Sequence, residues 1–150
     1  MNEEFYYVHE LVKGDKHAGS KAREDLDYIF SEKGSPLFSY SQNESDSFLS
    51  KFKYIVFPSK VRFCNNMYHV KDKIVFLQYP FYCDSFLNKV FQRILQNNKI
   101  ILFIHDVESW RNPASNFVKE LNIFNQCDVI VAHNDKMAAR LKMGGESDNS

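Results

Sequence analysis

The fold is decided by two stretches of the sequence, Ile74-Val-Phe-Leu77 and Ile100-Ile-Leu-Phe-Ile104. Each is continuously apolar, which is typical of a strand that is buried on both faces of a parallel sheet. Between them, residues 85–95 place their apolar side chains in one stripe at helical spacing. A strand, a helix and a second strand in this order predict a right-handed βαβ unit.

The same alternation continues toward both ends of the chain. Residues 5–12, 36–40 and 129–131 have the aromatic and β-branched content of further strands, and amphipathic helices are predicted between them. The expected helix boundaries are Ser20 as an N-cap, Pro58 as the end of a helix over 48–56, Asn112-Pro as a helix start and Asn134 as the start of a last helix. We therefore predict an α/β fold, a Rossmann-like three-layer αβα sandwich with a mainly parallel sheet.

The composition excludes several classes of function. The 150 residues contain 44% hydrophobic side chains, enough for one sizeable core, and residues 1–144 are predicted to form one domain with a polar tail at 145–150. The 19 basic and 19 acidic residues cancel, so nucleic acid is not an expected partner. No apolar run approaches the roughly 18 residues of a membrane span, and we expect a cytoplasmic protein.

The cysteine pattern gives no support to a metal or a disulfide framework. The three cysteines Cys64, Cys83 and Cys127 lie far apart and form no C-x-x-C pair. No His, Cys, Asp or Glu cluster has metal-ligand spacing, and the nucleophile elbow of serine hydrolases is missing. We expect a site without a metal.

The polar residues that follow the predicted strands are the candidates for a binding site. In open parallel sheets, ligands bind beyond the carboxyl ends of the strands. The segments at those ends are 14–21, 78–81, 105–111 and 133–135. Residues Ser20, Gln78 and His105 are therefore expected to converge on one groove.

The loop that contains Gly19, Ser20 and Lys21 combines small residues with the backbone N–H groups of a helix N-terminus. This combination can hold a phosphate or a sugar hydroxyl. It matches neither G-x-G-x-x-G nor a P-loop. The alternative is that Gly19 and Ser20 only turn the chain and cap the helix.

His105 and Asp106 follow a buried strand without an intervening turn residue. A histidine there can accept a proton or bind a hydroxyl, and a neighbouring carboxylate can orient the imidazole ring or bind a second hydroxyl. We predict that both are catalytic, although neighbouring strand residues point to opposite faces. The alternative is a histidine packed under the following loop, with Asp106 capping a turn.

Three further polar residues extend this predicted site. Arg111 could clamp a phosphate or a carboxylate, or it is a solvated arginine. His133 and Asn134 repeat the strand-to-polar pattern one unit later, although Asn134 is equally well explained as an N-cap. Residues 51–73 interleave six basic side chains with aromatic ones, which predicts either peripheral membrane contact or a core helix with solvated lysines.

Three segments together resemble a known family. They are Asp72-Lys-Ile-Val-Phe-Leu-Gln-Tyr-Pro-Phe81, Ile104-His-Asp-Val-Glu-Ser-Trp-Arg111 and Glu120-Leu-Asn-Ile-Phe-Asn-Gln-Cys-Asp-Val-Ile-Val-Ala-His-Asn134. The set resembles the N-terminal domain of bacterial glycosyltransferases, the group that contains the fimbrial-adhesin glucosyltransferase and the β-1,6-galactofuranosyltransferases. The likeness extends from Phe5 to Gly144.

The resemblance implies the N-terminal half of a GT-B fold, in which this domain binds the acceptor and a second domain binds the nucleotide-sugar. Gly19 and Ser20 would then approach the donor, His105 and Asp106 would face the acceptor, and Gln78-Tyr79-Pro80 would form the floor between them. Trp110 departs from the family pattern, which more often has a smaller apolar residue there.

The function implied is transfer of a hexose from a nucleotide-sugar, expected to be a UDP-hexose, to a glycan, glycoprotein or polysaccharide. The C-terminal nucleotide-sugar domain is absent from this sequence, and it would supply the basic residues that neutralise the leaving diphosphate. We therefore expect the chain alone to be inactive. The alternatives are a non-catalytic glycan- or nucleotide-binding module, or a subunit that forms homo-oligomers.

Overall fold

The computed structural model describes residues 5–11, 18–33, 37–41, 58–81, 85–112 and 115–144. Strands and helices alternate along these segments. In chain order they are β1 (Phe5–Leu11), α1 (Ala18–Glu32), β2 (Leu37–Ser41), α2 (Pro58–Tyr68), β3 (Ile74–Tyr79), α3 (Ser85–Asn97), β4 (Lys99–Ile104), α4 (Glu108–Arg111), α5 (Phe117–Phe124), β5 (Val129–Ala132) and α6 (Asp135–Lys142).

The five strands form one sheet in the order β2-β1-β3-β4-β5, and every pairing among them is parallel. The register pairs Tyr7 with Phe76, and Gln78 with Phe103. Paired residues of neighbouring parallel strands share a face, and residues two apart on one strand also share a face. Tyr7, Phe76 and Gln78 therefore lie on the same side of the sheet.

Helix α1 covers that side of the sheet over β1 and β3. The ring of Phe30 stacks on Tyr7 with a centroid distance of 4.4 Å and an interplanar angle of 7°, and it lies 4.8 Å from the ring of Phe76. Tyr7 is fully buried as a result. This aromatic packing fixes α1 directly above the strands whose carboxyl ends carry the candidate site.

The opposite side of the sheet carries the main hydrophobic core. Val75, Leu77, Ile100, Leu102 and Ile104 alternate toward this side and are buried. They pack with buried side chains of α2, α3 and α5, namely Phe63, Met67, Leu87, Phe91, Ile94 and Phe124. The α1 layer, the sheet and this second helical layer make the predicted α/β Rossmann-like fold, which is confirmed.

Two predicted helix boundaries differ from the structure. Helix α1 begins at Ala18, so Ser20 lies inside it and is not its N-cap. The predicted helix start at Asn112-Pro is wrong, because Asn112 is the C-cap of α4 and helix α5 starts after Asn116, whose side chain accepts from the backbone N–H groups of Val118 and Lys119. Helix α2 begins at Pro58, since a proline at the first helical position loses no hydrogen bond. The predicted helix over 48–56 lies outside the described residues.

The structure bears on two further predictions, the start of the last helix at Asn134 and the basic segment 51–73. Asn134 caps α6 as predicted, since its side chain accepts from the N–H of Met137 at 2.9 Å. In the part of 51–73 that the structure describes, Phe63, Cys64 and Met67 face the core while Arg62 and Lys71 are exposed. Among the described helices, none is long and apolar enough to cross a membrane.

Candidate functional site

The carboxyl ends of the strands meet at one edge of the sheet, and the strand order reverses between β1 and β3. The chain moves outward from β1 to β2 and then returns past β1 to β3. Such a reversal opens a crevice between the loops that leave the two neighbouring strands. Gln78 lies near the end of β3, and His105 follows the end of β4 immediately.

Two strands, one helix and the residue that follows β4 contribute to a hydrogen-bonded chain of four side chains at this edge, which we call the histidine network: Asp27, Tyr7, Gln78 and His105. The Tyr7 hydroxyl donates to Asp27 Oδ1, and Gln78 Nε2 donates to the Tyr7 oxygen. Gln78 Oε1 lies 2.5 Å from His105 Nε2. The network therefore connects helix α1 to the residue after β4.

The surroundings of His105 keep its imidazole neutral near pH 7. Burial, together with the nearby charges of Arg23 and His133, lowers the pKa of His105 to about 4. A neutral imidazole carries one nitrogen with a free lone pair, which can accept a hydrogen bond or a proton. The site therefore presents a hydrogen-bond acceptor next to positive charge.

Arg23 brings helix α1 to the end of β3. Its Nη2 donates to the carbonyl oxygen of Pro80, which follows a cis peptide bond after Tyr79. The sequence analysis did not single out Arg23. No local signal distinguished Arg23, because it is the sixth residue of α1 and lies beyond the first turn, where a basic residue opposes the helix dipole.

Asp106 and Arg111 form an ion pair at the rim of the crevice. Arg111 Nη2 lies 2.5 Å from Asp106 Oδ2, and the side chains are 73% and 32% exposed. The pair places a guanidinium group within reach of an anion that enters from solvent. The structure thus brings together three predicted site residues, His105, Asp106 and Arg111, at one end of β4.

Tyr79 belongs to a different cluster on the opposite side of the sheet, the Glu120 network. The Tyr79 hydroxyl donates to Glu120 Oε1 at 2.6 Å. The backbone N–H of Glu108 donates to Oε1 at 3.0 Å, and that of Ser109 donates to Oε2 at 3.1 Å. Burial and the Glu120 carboxylate raise the pKa of Tyr79. Glu120, only 6% exposed, therefore fixes the loop that follows His105.

The remaining predicted site residues lie around this edge. Gly19 and Ser20 are in the first turn of α1, and Lys21 follows them with an exposed side chain. His133 is exposed directly after β5 and lies near enough to affect His105 electrostatically. Asn134 is occupied as an N-cap. The structure therefore groups Gln78, His105 and His133, whereas the side chain of Tyr79 points away from them.

Sequence reasoning missed Tyr7, Asp27 and Glu120 as well as Arg23. Glu120 could have been found from its spacing, because it lies three residues after Phe117 and four before Phe124, on the buried stripe of α5. A carboxylate on an apolar stripe is costly unless it is paired. The partners of Tyr7 are distant in sequence and gave no local signal.

Within the described segments, no group of three or more His, Cys, Asp or Glu side chains is placed to hold a metal ion. The groups that this edge offers to a ligand are an imidazole, an amide, a guanidinium group and the start of a helix. These groups recognise hydroxyls and phosphates.

Comparison with known families matches residues 5–149 to the family described as glucosyltransferase 3-like, N-terminal domain. A comparison with curated proteins finds no match. The matched range includes every described strand and helix and each residue of the two networks. The chain belongs to the family of glucosyltransferase 3-like N-terminal domains.

Proposed function

We propose that this domain binds the acceptor of a glycosyltransferase, in the crevice at the carboxyl ends of β1, β3 and β4. In the transfer, an acceptor hydroxyl oxygen bonds to the anomeric carbon of a hexose while the bond from that carbon to the nucleotide diphosphate breaks. His105 accepts the hydrogen of that hydroxyl. The substrate is a glycan, a glycoprotein glycan or a polysaccharide.

The observation that carries this proposal is the position of a neutral imidazole at the carboxyl end of β4, next to the strand β3 at which the strand order reverses. Family membership supports the proposed reaction class, and the sheet topology supports this position for the ligand, because ligands of open parallel sheets bind at the carboxyl ends of the strands. A lone-pair acceptor suits a hydroxyl better than it suits an anionic diphosphate. This chemistry favours the acceptor as the ligand near His105.

The nucleotide-sugar, a UDP-hexose, is assigned by this proposal mainly to a second domain. Negative charge develops on the diphosphate as it leaves, and positioned basic groups are needed to neutralise that charge. The two arginines described near His105 are already engaged, because Arg111 pairs with Asp106 and Arg23 donates to the carbonyl oxygen of Pro80. Gly19 and Ser20, at the start of α1, would contact the donor only at the edge of its binding site.

Ligand titration of the 150-residue chain, followed by two-dimensional NMR, tests the proposal. The probes are UDP-glucose, UDP-galactose and a panel of oligosaccharides that end in hexose or N-acetylhexosamine. We expect one or more oligosaccharides to shift the signals of Gln78, His105 and His133, and the UDP-sugars to bind more weakly. His105→Ala should reduce oligosaccharide affinity about three- to tenfold, the value of one hydrogen bond.

The matched control is His69→Ala, because His69 is exposed at the opposite end of β3. It should leave oligosaccharide affinity unchanged. Tight UDP-sugar binding at the crevice would contradict the assignment of the donor to another domain. Equal affinities of the two alanine variants for the oligosaccharide would remove His105 from the binding site.

A further inference from the structure

The directions of the hydrogen bonds in the histidine network are fixed from one end. A carboxylate accepts hydrogen bonds and does not donate them, so the Tyr7 hydroxyl must donate its only hydrogen to Asp27. The tyrosine keeps that hydrogen, because burial and the carboxylate raise the pKa of Tyr7. The Tyr7 oxygen is therefore left as an acceptor for Gln78.

This direction sets the orientation of the Gln78 amide. Its Nε2 group must face Tyr7, since only the nitrogen can donate, and its Oε1 must therefore face His105. A carbonyl oxygen at 2.5 Å requires a hydrogen on His105 Nε2. The carboxylate of Asp27 thus determines, through two neutral side chains, which nitrogen of the imidazole carries the hydrogen.

The other nitrogen of the ring has no partner in the described part of the chain. His105 Nδ1 is buried, and no described residue forms a hydrogen bond with it. A buried acceptor without a partner costs about 1–3 kcal/mol. A hydroxyl that donates to Nδ1 would recover that free energy, and because Nδ1 has no contact with solvent in the ligand-free chain, the groups that cover it must move to admit the hydroxyl.

We propose that the histidine network holds His105 in the tautomer protonated on Nε2, so that Nδ1 is the atom that receives the hydroxyl of the acceptor saccharide. Tyr7, Gln78 and Asp27 are positioning residues in this arrangement, because they act on the saccharide only through His105. The inference rests on the proposed function for the identity of the ligand, whereas the tautomer is a property of the free chain.

Basic groups on two neighbouring elements act in the same sense. Arg23 on α1 and His133 after β5 both disfavour a second proton on the imidazole. Asp106, the adjacent residue, is engaged by Arg111 at the rim. The network and its surroundings together keep a single neutral form of the ring.

The tautomer is measured by ¹⁵N NMR of the histidine rings in the ligand-free chain at pH 7, with His105→Gln used to assign the signals. We expect a bare Nδ1 and a protonated Nε2 whose hydrogen exchanges slowly with water. Tyr7→Phe removes the group that orients the Gln78 amide. It should populate both tautomers, accelerate that exchange and reduce saccharide affinity about threefold.

The matched control is Tyr28→Phe. Tyr28 lies on α1 and donates its hydroxyl to Glu32, but it is 62% exposed and lies outside the histidine network. This variant should leave the ring signals of His105 unchanged. In a second variant, Gln78→Glu, the carboxylate still accepts from Nε2 and should raise the pKa of His105, because a negative charge favours the imidazolium form.

The outcomes separate this inference from the proposed function. A hydrogen on Nδ1 in the free chain, or a Tyr7→Phe spectrum identical to that of Tyr28→Phe, overturns the inference whatever the saccharide does. Saccharide shifts at His133 and Gln78 without a shift at Nδ1 also overturn it, while the crevice remains the binding site. The expected tautomer without binding of any saccharide overturns the proposed function, and with it the role of Nδ1 as the hydroxyl acceptor.

Discussion

Gln78 and Tyr79 are adjacent on β3, yet they belong to two polar networks on opposite sides of the sheet. The Glu120 network ends in backbone N–H groups, and both oxygens of its carboxylate accept hydrogen bonds. The histidine network ends in a side chain whose second nitrogen is unpartnered within the described residues. The Glu120 network fixes a loop because it accepts hydrogen bonds from backbone N–H groups. The histidine network can accept a hydrogen bond from a ligand because its last acceptor has no partner among the described residues.

The largest effect on stability is expected from substitutions in the Glu120 network. Glu120→Ala leaves a buried hydroxyl and two backbone N–H groups without their acceptor, so it should lower the free energy of unfolding by about 3 kcal/mol. Tyr79→Phe removes one hydrogen bond to a carboxylate and should cost about 1.5–3 kcal/mol. Chemical denaturation of the purified variants measures both values.

The control for this comparison is again Tyr28→Phe, which removes an exposed tyrosine–carboxylate hydrogen bond. It should leave the free energy of unfolding unchanged within the error of the measurement, because the hydrogen bond is exposed to solvent. If Glu120→Ala costs no more than Tyr28→Phe, the Glu120 network does not fix the loop after His105, and the contrast between the two networks fails.

An intermediate effect on stability is expected when the pH is lowered and His105, in the histidine network, becomes protonated. The unfolded state binds a proton on residue 105 near the ordinary pKa of 6.5, and the folded state binds it only near a pKa of about 4. Unfolding therefore takes up a proton between these values, and stability falls as the pH is lowered from 6.5 to 4. Solvent reaches part of the ring and screens its charge, so the loss is about 1–2 kcal/mol.

The difference between wild type and His105→Gln isolates this contribution, because all other titrating groups are common to both chains. We expect the stability difference between them to change across pH 6.5 to 4 and to be constant above pH 7.5. Parallel pH profiles of the two chains would show that His105 binds protons equally in the folded and unfolded states, which contradicts the site geometry.

The smallest effect is expected at the rim. Arg111→Ala breaks the ion pair with Asp106, but Arg111 is 73% exposed, and such pairs contribute about 0–1 kcal/mol. The free energy of unfolding should change by less than about 0.5 kcal/mol in denaturant titrations at low salt. If Arg111→Ala lowers the free energy of unfolding as much as Tyr79→Phe does, the Asp106–Arg111 ion pair stabilises the fold as strongly as the Glu120 network does. The proposed contrast between the two regions would then be wrong.

The sequence alone predicted the sheet and the edge at which Gln78 and His105 lie. Continuous apolar runs identified β3 and β4, and the positions of Gln78 and His105 at strand ends followed from topology. The networks could not be predicted in the same way. Hydrogen bonds of Tyr7 and Glu120 depend on register and on side-chain direction across elements far apart in sequence, and periodicity carries no information about either.

Local boundary signals were less informative than the strand pattern. A proline inside a helix breaks or kinks it, whereas a proline at the first helical position is well tolerated. The residues around Pro58 do not show which of the two positions it occupies, and in the structure it is the first residue of α2. Asn112 and Asn116 both have N-cap chemistry, and only the packing of Phe117 and Phe124 selects the second. Polar capping residues therefore predicted that a helix begins, and tertiary contacts determined where.

The separation of Tyr7 and Gln78 by 71 positions has a consequence for biosynthesis. When β1 leaves the ribosome, the Tyr7 hydroxyl cannot bond to Gln78 until β3 has also emerged. His105 emerges later still, after β4. Closing so long a loop costs entropy that is recovered only when the sheet forms. The histidine network is therefore completed only after residue 105 has emerged and β1, β3 and β4 have paired.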